Sequence, residues 1–150
     1  MRSGADLLKL AGEHVGERYV NMLVPKDHAG WKGPWDCAEF VSWGIYQVTG
    51  HYVGTRGRRD DAWTGYFAED LPRVGTRITA DEDADCIGAI ALRPRTSGRI
   101  GHIAVSRGGG RTIEAASTRL GVASLSMKGR GFTEYYTLNS LVYDMACGFM

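Results

Sequence analysis

The sequence has only 4 prolines and 3 cysteines in 150 residues, and no long apolar run. Each shortage excludes something. A chain of this length buries roughly 68–70% of its unfolded surface, so it needs no disulfide or metal to fold. No two cysteines stand close enough for a zinc knuckle or a Cys-x-x-Cys redox site. No apolar stretch approaches the ~20 residues of a membrane-spanning helix. The N-terminus, Met1 to Asp6, lacks the apolar core of a secretory signal and runs directly into an amphipathic pattern. The expectation is synthesis in the cytoplasm, with any export to the cell envelope by a route that cleaves no signal. Charge of one sign is also scarce. The formal net charge is +1, and Arg56, Arg58 and Arg59 are followed at once by Asp60 and Asp61. Nucleic acid is therefore not an expected partner.

What is abundant is glycine, 21 of 150. With apolar segments throughout, this reads as many tight turns between short elements, in one domain over residues 1–150. Ser3, with Asp6 three residues on, opens a first helix. Its apolar face is Leu7, Leu10, Ala11 and Val15, and Gly16 ends it. Residues 17–35 read as irregular. Asp36 is a good N-cap that makes Cys37 the first residue of a second helix. Ala38, Val41, Ile45 and Val48 form its buried stripe, and Gly50 sits at its C-terminal cap. A short helix is expected over 60–68. The second half changes period. Strands are expected at 87–92, 102–107, 111–116, 122–125, 135–138 and 141–145, separated by glycine clusters. Helices first and strands second argue for an α+β fold with an antiparallel sheet.

Two residues are poorly explained by folding alone. Cys37 starts a helix, and His102 starts a strand in Gly101-His102-Ile103-Ala104-Val105. A thiolate is the reactive form of cysteine, and a helix N-terminus and a cationic histidine both lower a thiol pKa. On that reading Cys37 is a nucleophile and His102 its base. Of the other histidines, His14 belongs at the end of the first helix, His28 in the irregular segment and His51 in a loop. A base needs a third group to orient it. If Gly108, Gly109 and Gly110 form a three-residue hairpin loop, Arg107 faces Arg111 and His102 lies opposite Ala116. Glu114 is then the diagonal neighbour of His102 on the same face. A two-residue loop would throw Glu114 to the other face. The backbone N–H of Cys37 is the expected oxyanion donor, with Tyr19 a candidate for the second. Asp36 and Trp35 flank the nucleophile and are assigned to the substrate side.

Pro34-Trp35-Asp36-Cys37-Ala38-Glu39-Phe40-Val41-Ser42-Trp43, Gly101-His102-Ile103-Ala104-Val105, Thr112-Ile113-Glu114-Ala115 and Gly16-Glu17-Arg18-Tyr19-Val20 together resemble the NlpC-type cell-wall peptidases and the related CHAP amidases. The resemblance spans roughly residues 5–117. It implies a papain-like fold, with the nucleophile helix packed on a C-terminal antiparallel sheet. It implies hydrolysis of an amide in the peptide stems of peptidoglycan through an acyl enzyme on Cys37, with no metal or organic cofactor. The chain departs from the NlpC pattern at Ala38 and Glu39, where Ser-Gly is common, and at Glu114, where His is frequent. Residues 26–33 look like an insertion near the cleft. A phage lysin or an injected antibacterial effector is the expected setting. Other thiol chemistry on the same fold stands as the alternative: acyltransfer, deamidation or cleavage of protein, with a narrow apolar cleft. A non-enzymatic binding module ranks lower. Zinc held by Cys37, His28 and His102 fits no recurring spacing. The sequence names no protein inhibitor. Cys86 and Cys147 remain a candidate pair, although buried free cysteines are common.

Overall fold

A computed structural model describes residues 2–144 and Cys147. Ser3 closes a capping box with Asp6 and starts α1 (Gly4–Gly12), which ends one turn earlier than its apolar pattern. Asp36 accepts from the Glu39 N–H and starts α2 (Cys37–Thr49), and Gly50 ends it in the left-handed conformation. The expected helix over 60–68 instead begins at Thr64 and runs to Val74 as α3. Two short elements follow that the apolar pattern does not announce. They are β1 (Gly75–Ile78) and α4 (Ala80–Asp85). The remaining strands are β2 (Ile90–Arg93), β3 (His102–Gly108), β4 (Arg111–Ser117), β5 (Gly121–Ser126) and β6 (Glu134–Leu138). They form one antiparallel sheet in the order β1-β6-β2-β3-β4-β5.

The strand expected at 141–145 does not form over its described part. Val142 makes only an isolated parallel bridge to Ser3, and Met145 lies outside the described residues. Cys86 and Cys147 form a disulfide, which leaves Cys37 as the free cysteine.

Helix α2 lies against the middle of the sheet. Val41 and Ile45 pack with Ile90, Leu92, Ile103 and Val105, while Phe40 and Trp43 pack with Trp35, Ile113, Ala115 and Val122. The sequence pattern gives α2 one buried stripe, yet Glu39, Phe40, Ser42 and Trp43 are buried as well. The reason is that the segments on either side wrap its outer face. Glu39 accepts hydrogen bonds from the Val24 N–H, the Ala62 N–H and the Lys26 ammonium, and Ser42 donates to the Val53 carbonyl. Lys26, in the stretch that looked like an insertion, is fully buried, and its ammonium also donates to the Val24 and Asp60 carbonyls. One carboxylate thus ties two irregular segments to the helix that carries Cys37.

The β3–β4 hairpin corrects the expected turn. Gly108 pairs with Arg111, so the loop is Gly109-Gly110, both with positive φ, and Arg107 does not face Arg111. A two-residue loop alone would place Glu114 on the wrong face. A bulge between Ser106 and Gly108 absorbs one residue, and Ser106 pairs with Thr112 and Val105 with Ile113. Parity is restored by the bulge, and Glu114 returns to the face of His102.

Candidate active site

Three elements converge on Cys37: the start of α2, the segment that carries Tyr19, and the start of β3. Tyr19 is held beside the helix by a parallel bridge to Trp35. Its hydroxyl meets both the backbone and the side chain of Cys37. Burial raises the phenol to about 12, helped by the charges of Cys37 and Asp36. Tyr19 therefore stays protonated as a donor beside the Cys37 N–H, where a tetrahedral oxyanion needs its partners.

The thiol of Cys37 is not activated in the way its sequence position suggests. Burial, and then the neighbouring carboxylate of Asp36, push it up to about 12; hydrogen bonds from the backbone of Ile103, Ala38 and Cys37 oppose this but do not win. The helix terminus is present, and desolvation outweighs it. Asp36 is itself raised to about 7, chiefly by burial. A thiol raised this far favours its protonated form at neutral pH.

Ile103, whose backbone bonds to the thiol, directly follows His102. The Nε2 nitrogen of His102 lies 2.7 Å from Oε1 of Glu114. Glu114 is fully buried, and His102 is 7% exposed. An ionised carboxylate can only accept, so Nε2 carries the proton and Nδ1 is left as the basic nitrogen. Burial alone would raise the Glu114 pKa. Hydrogen bonds from His102, Arg130 and Thr112 outweigh it and hold the carboxyl below its usual value. Arg130 is a two-point partner to this carboxylate, and the Thr112 hydroxyl donates to Oε2. Phe132 covers the His102 ring at 5.9 Å between centroids.

The other site residues named from sequence fall as follows. Asp36 is the helix cap beside the thiol. Trp35 is fully buried; its indole donates to Glu17 and packs edge-on against Phe40 and Trp43. Its indole reaches no cleft. His14 packs among the same rings and pairs with Glu17, while His28 and His51 are exposed. A cavity of about 380 Å³ opens beside Asp36, lined by Asn21, Asp60, Asp61, Ala62, Trp63 and Tyr66. A larger hollow of about 570 Å³, between Arg77, Tyr135 and Phe132, contains none of the site residues.

Thr112 and Arg130 have no role in the expectations drawn from sequence. Thr112 was findable, two residues before Glu114 on the same strand face. Arg130 comes from the connection between β5 and β6, and nothing local marks it. Among the described residues, no group of three or more His, Cys, Asp or Glu side chains is placed to hold a metal, and no helix is long and apolar enough to cross a membrane.

No protein-family model and no curated protein matches the sequence. The fold does have solved counterparts. The NlpC/p60 domain of the peptidoglycan hydrolase SagA aligns with a TM-score of 0.66 at 21% identity, over 91% of this chain and 99% of that one. The P60 domain of antigen MAP1204 from M. avium subspecies paratuberculosis aligns with a TM-score of 0.64 at 18% identity, over 93% and 96%. The peptidoglycan hydrolase RipB from Mycobacterium tuberculosis aligns with a TM-score of 0.60 at 16% identity, over 93% of this chain and 65% of that one. The chain has the α+β fold of the NlpC/p60 domains.

Proposed function

We propose that this chain is a cysteine-dependent hydrolase that cleaves an amide bond in the peptide stems of peptidoglycan. The observation that carries the reading is the buried His102–Glu114 pair, one residue from the Ile103 backbone that bonds to the free thiol of Cys37, on a fold whose solved counterparts include peptidoglycan hydrolases. Cys37 attacks the scissile carbonyl while Nδ1 of His102 takes the thiol proton. The Cys37 N–H and the Tyr19 hydroxyl stabilise the oxyanion. His102 returns the proton to the departing amine, and water then hydrolyses the thioester with His102 as base again. Glu114 keeps the ring in the required tautomer and stabilises the imidazolium between the two proton transfers. A thiol raised to about 12 makes general-base removal of its proton in step with attack the sensible route.

The polar lining of the cavity beside Asp36 favours a hydrophilic peptide over the narrow apolar cleft expected of a protein-directed or acyl-transferring relative. The Cys86–Cys147 bridge supports an oxidising destination outside the cytoplasm. Digestion of purified peptidoglycan by the wild type and by Cys37→Ala, with the fragments identified by mass spectrometry, tests the proposal. New stem-peptide fragments from the wild type alone are expected, and their masses name the bond. Equal fragment patterns from the two proteins, or none from either, refute it.

A further inference from the structure

Arg93 stands directly opposite His102 in the β2–β3 register, and directly opposed residues share a face of the sheet. Its guanidinium is oriented by main chain: Nε donates to the Ile100 carbonyl and Nη1 to the Arg130 carbonyl. Arg99 arrives from the connection between β2 and β3. The two side chains converge over Gly131, where a Cβ would collide with the Arg99 guanidinium and press on the Arg93 stem. Burial, and then the charges of Arg99 and Arg130, hold the Arg93 pKa below the usual arginine range, while Cys37 and Glu114 pull the other way. Arg93 and Arg99 thus meet at Gly131, and Arg93 is tied to the main chain of Arg130, whose guanidinium holds Glu114. Arg130 spends its charge on Glu114. Neither Arg93 nor Arg99 has an ion-pair partner among the described residues.

Like charges this close repel, and folding alone gives no reason to assemble them. Arg93 shares the sheet face of His102, whose neighbour Ile103 bonds to the Cys37 thiol, and its charge acts on that thiol. From this we infer that Arg93 and Arg99 form an anion subsite beside Cys37 that takes a free carboxylate of the substrate, next to the amide being cleaved. A planar guanidinium fork matches a carboxylate, and stem peptides carry such groups. The assignment rests on the hydrolase reading for the identity of the substrate, but not for the subsite itself.

The test uses the thiol as its own probe. Cys86 and Cys147 are bridged, so alkylation reports Cys37 alone. The rate with anionic iodoacetate divided by the rate with neutral iodoacetamide cancels the thiolate fraction, and glutathione gives the reference ratio. At low salt the protein ratio should exceed that of glutathione by about tenfold. Arg93→Gln and Arg99→Gln should each bring it back toward glutathione, and added salt should do the same. Arg99 is exposed, so Arg99→Gln should melt as the wild type does. A wild-type ratio equal to that of glutathione, or one that neither substitution changes, overturns the subsite. A second arm compares hydrolysis of a soluble stem peptide bearing the free carboxylate with its carboxamide form. The subsite predicts a kcat/KM about tenfold higher for the carboxylate, reduced in Arg99→Gln. Equal cleavage of both overturns it. Cleavage of neither refutes the hydrolase reading, and the alkylation ratio still decides the subsite.

Discussion

Glu39 and Glu114 are both fully buried carboxylates paired with a cation, and they do different work. The partners of Glu39 are a lysine with no exposure and two backbone N–H groups. Every one is fixed, and together they clamp two irregular segments to α2. The partners of Glu114 are side chains, and one of them is an imidazole. An imidazole held through one nitrogen keeps the other for a further partner, which suits the base proposed above. Burial of charge does not by itself mark a functional site. Asp83 sharpens the point from the other side: it is buried, and neither carboxylate oxygen has a hydrogen-bond partner.

The largest expected effect separates the two glutamates in activity. Glu114→Gln offers His102 an amide in place of a carboxylate and loses control of the tautomer. Turnover of a stem peptide per folded molecule should fall by about 10³–10⁴-fold, even where loss of the Arg130 pair lowers the melting temperature. Next comes the converse. Glu39→Gln leaves the Lys26 charge buried without its counter-ion and should cost about 3–5 kcal/mol of stability in denaturant unfolding. Turnover per folded molecule should hardly change. Adding Lys26→Met removes the orphaned charge and should recover part of the loss. If Glu39→Gln instead abolishes turnover in a well-folded protein, the division between clamp and base is wrong.

The smallest effect concerns Asp83 and depends on pH. Burial raises its carboxyl from 3.8 to about 7. The folded state then holds this proton more tightly than the unfolded chain does. This contribution to stability is present below pH 3.8, is lost as pH rises, and is gone above about 7. Asp83→Asn should therefore be more stable than the wild type by about 1–3 kcal/mol above that window, and show little difference below it. Thermal unfolding across pH reads the crossing directly. A gain of the same size at every pH would mean that packing, not charge, sets the cost.

Much of the site was legible because it follows from local rules. Asp36 as cap, Cys37 at the first turn and Gly50 at the end of α2 need only neighbouring residues. Glu114 was legible for a reason that proved incomplete: the glycine loop is one residue shorter than expected, and the bulge at Arg107 makes up the difference. Helix α4 was open to the same local reading, since Thr79 and Glu82 form a capping box. Strand β1 offers only Ile78 as a buried apolar residue, too little to set a period. The rest is tertiary. The thiol pKa depends on what packs over α2, the Lys26–Glu39 pair joins distant segments, and Arg130 reaches Glu114 from another loop. The Cys86–Cys147 bridge spans 61 residues, a separation at which sequence alone does not choose between bridged and free thiols.

One proton decides the proposed mechanism. In the proposed mechanism Glu114 holds it on Nε2 of His102, and Nδ1 receives another from Cys37. The ¹⁵N shifts of the four histidines, recorded at about pH 8 where an unperturbed imidazole is neutral, report which nitrogen carries it. A protonated Nε2 and a bare Nδ1 are expected at His102 in the wild type, with loss of that preference in Glu114→Gln. A proton on Nδ1 in the wild type would contradict the mechanism, because the nitrogen meant to act as base would already be occupied.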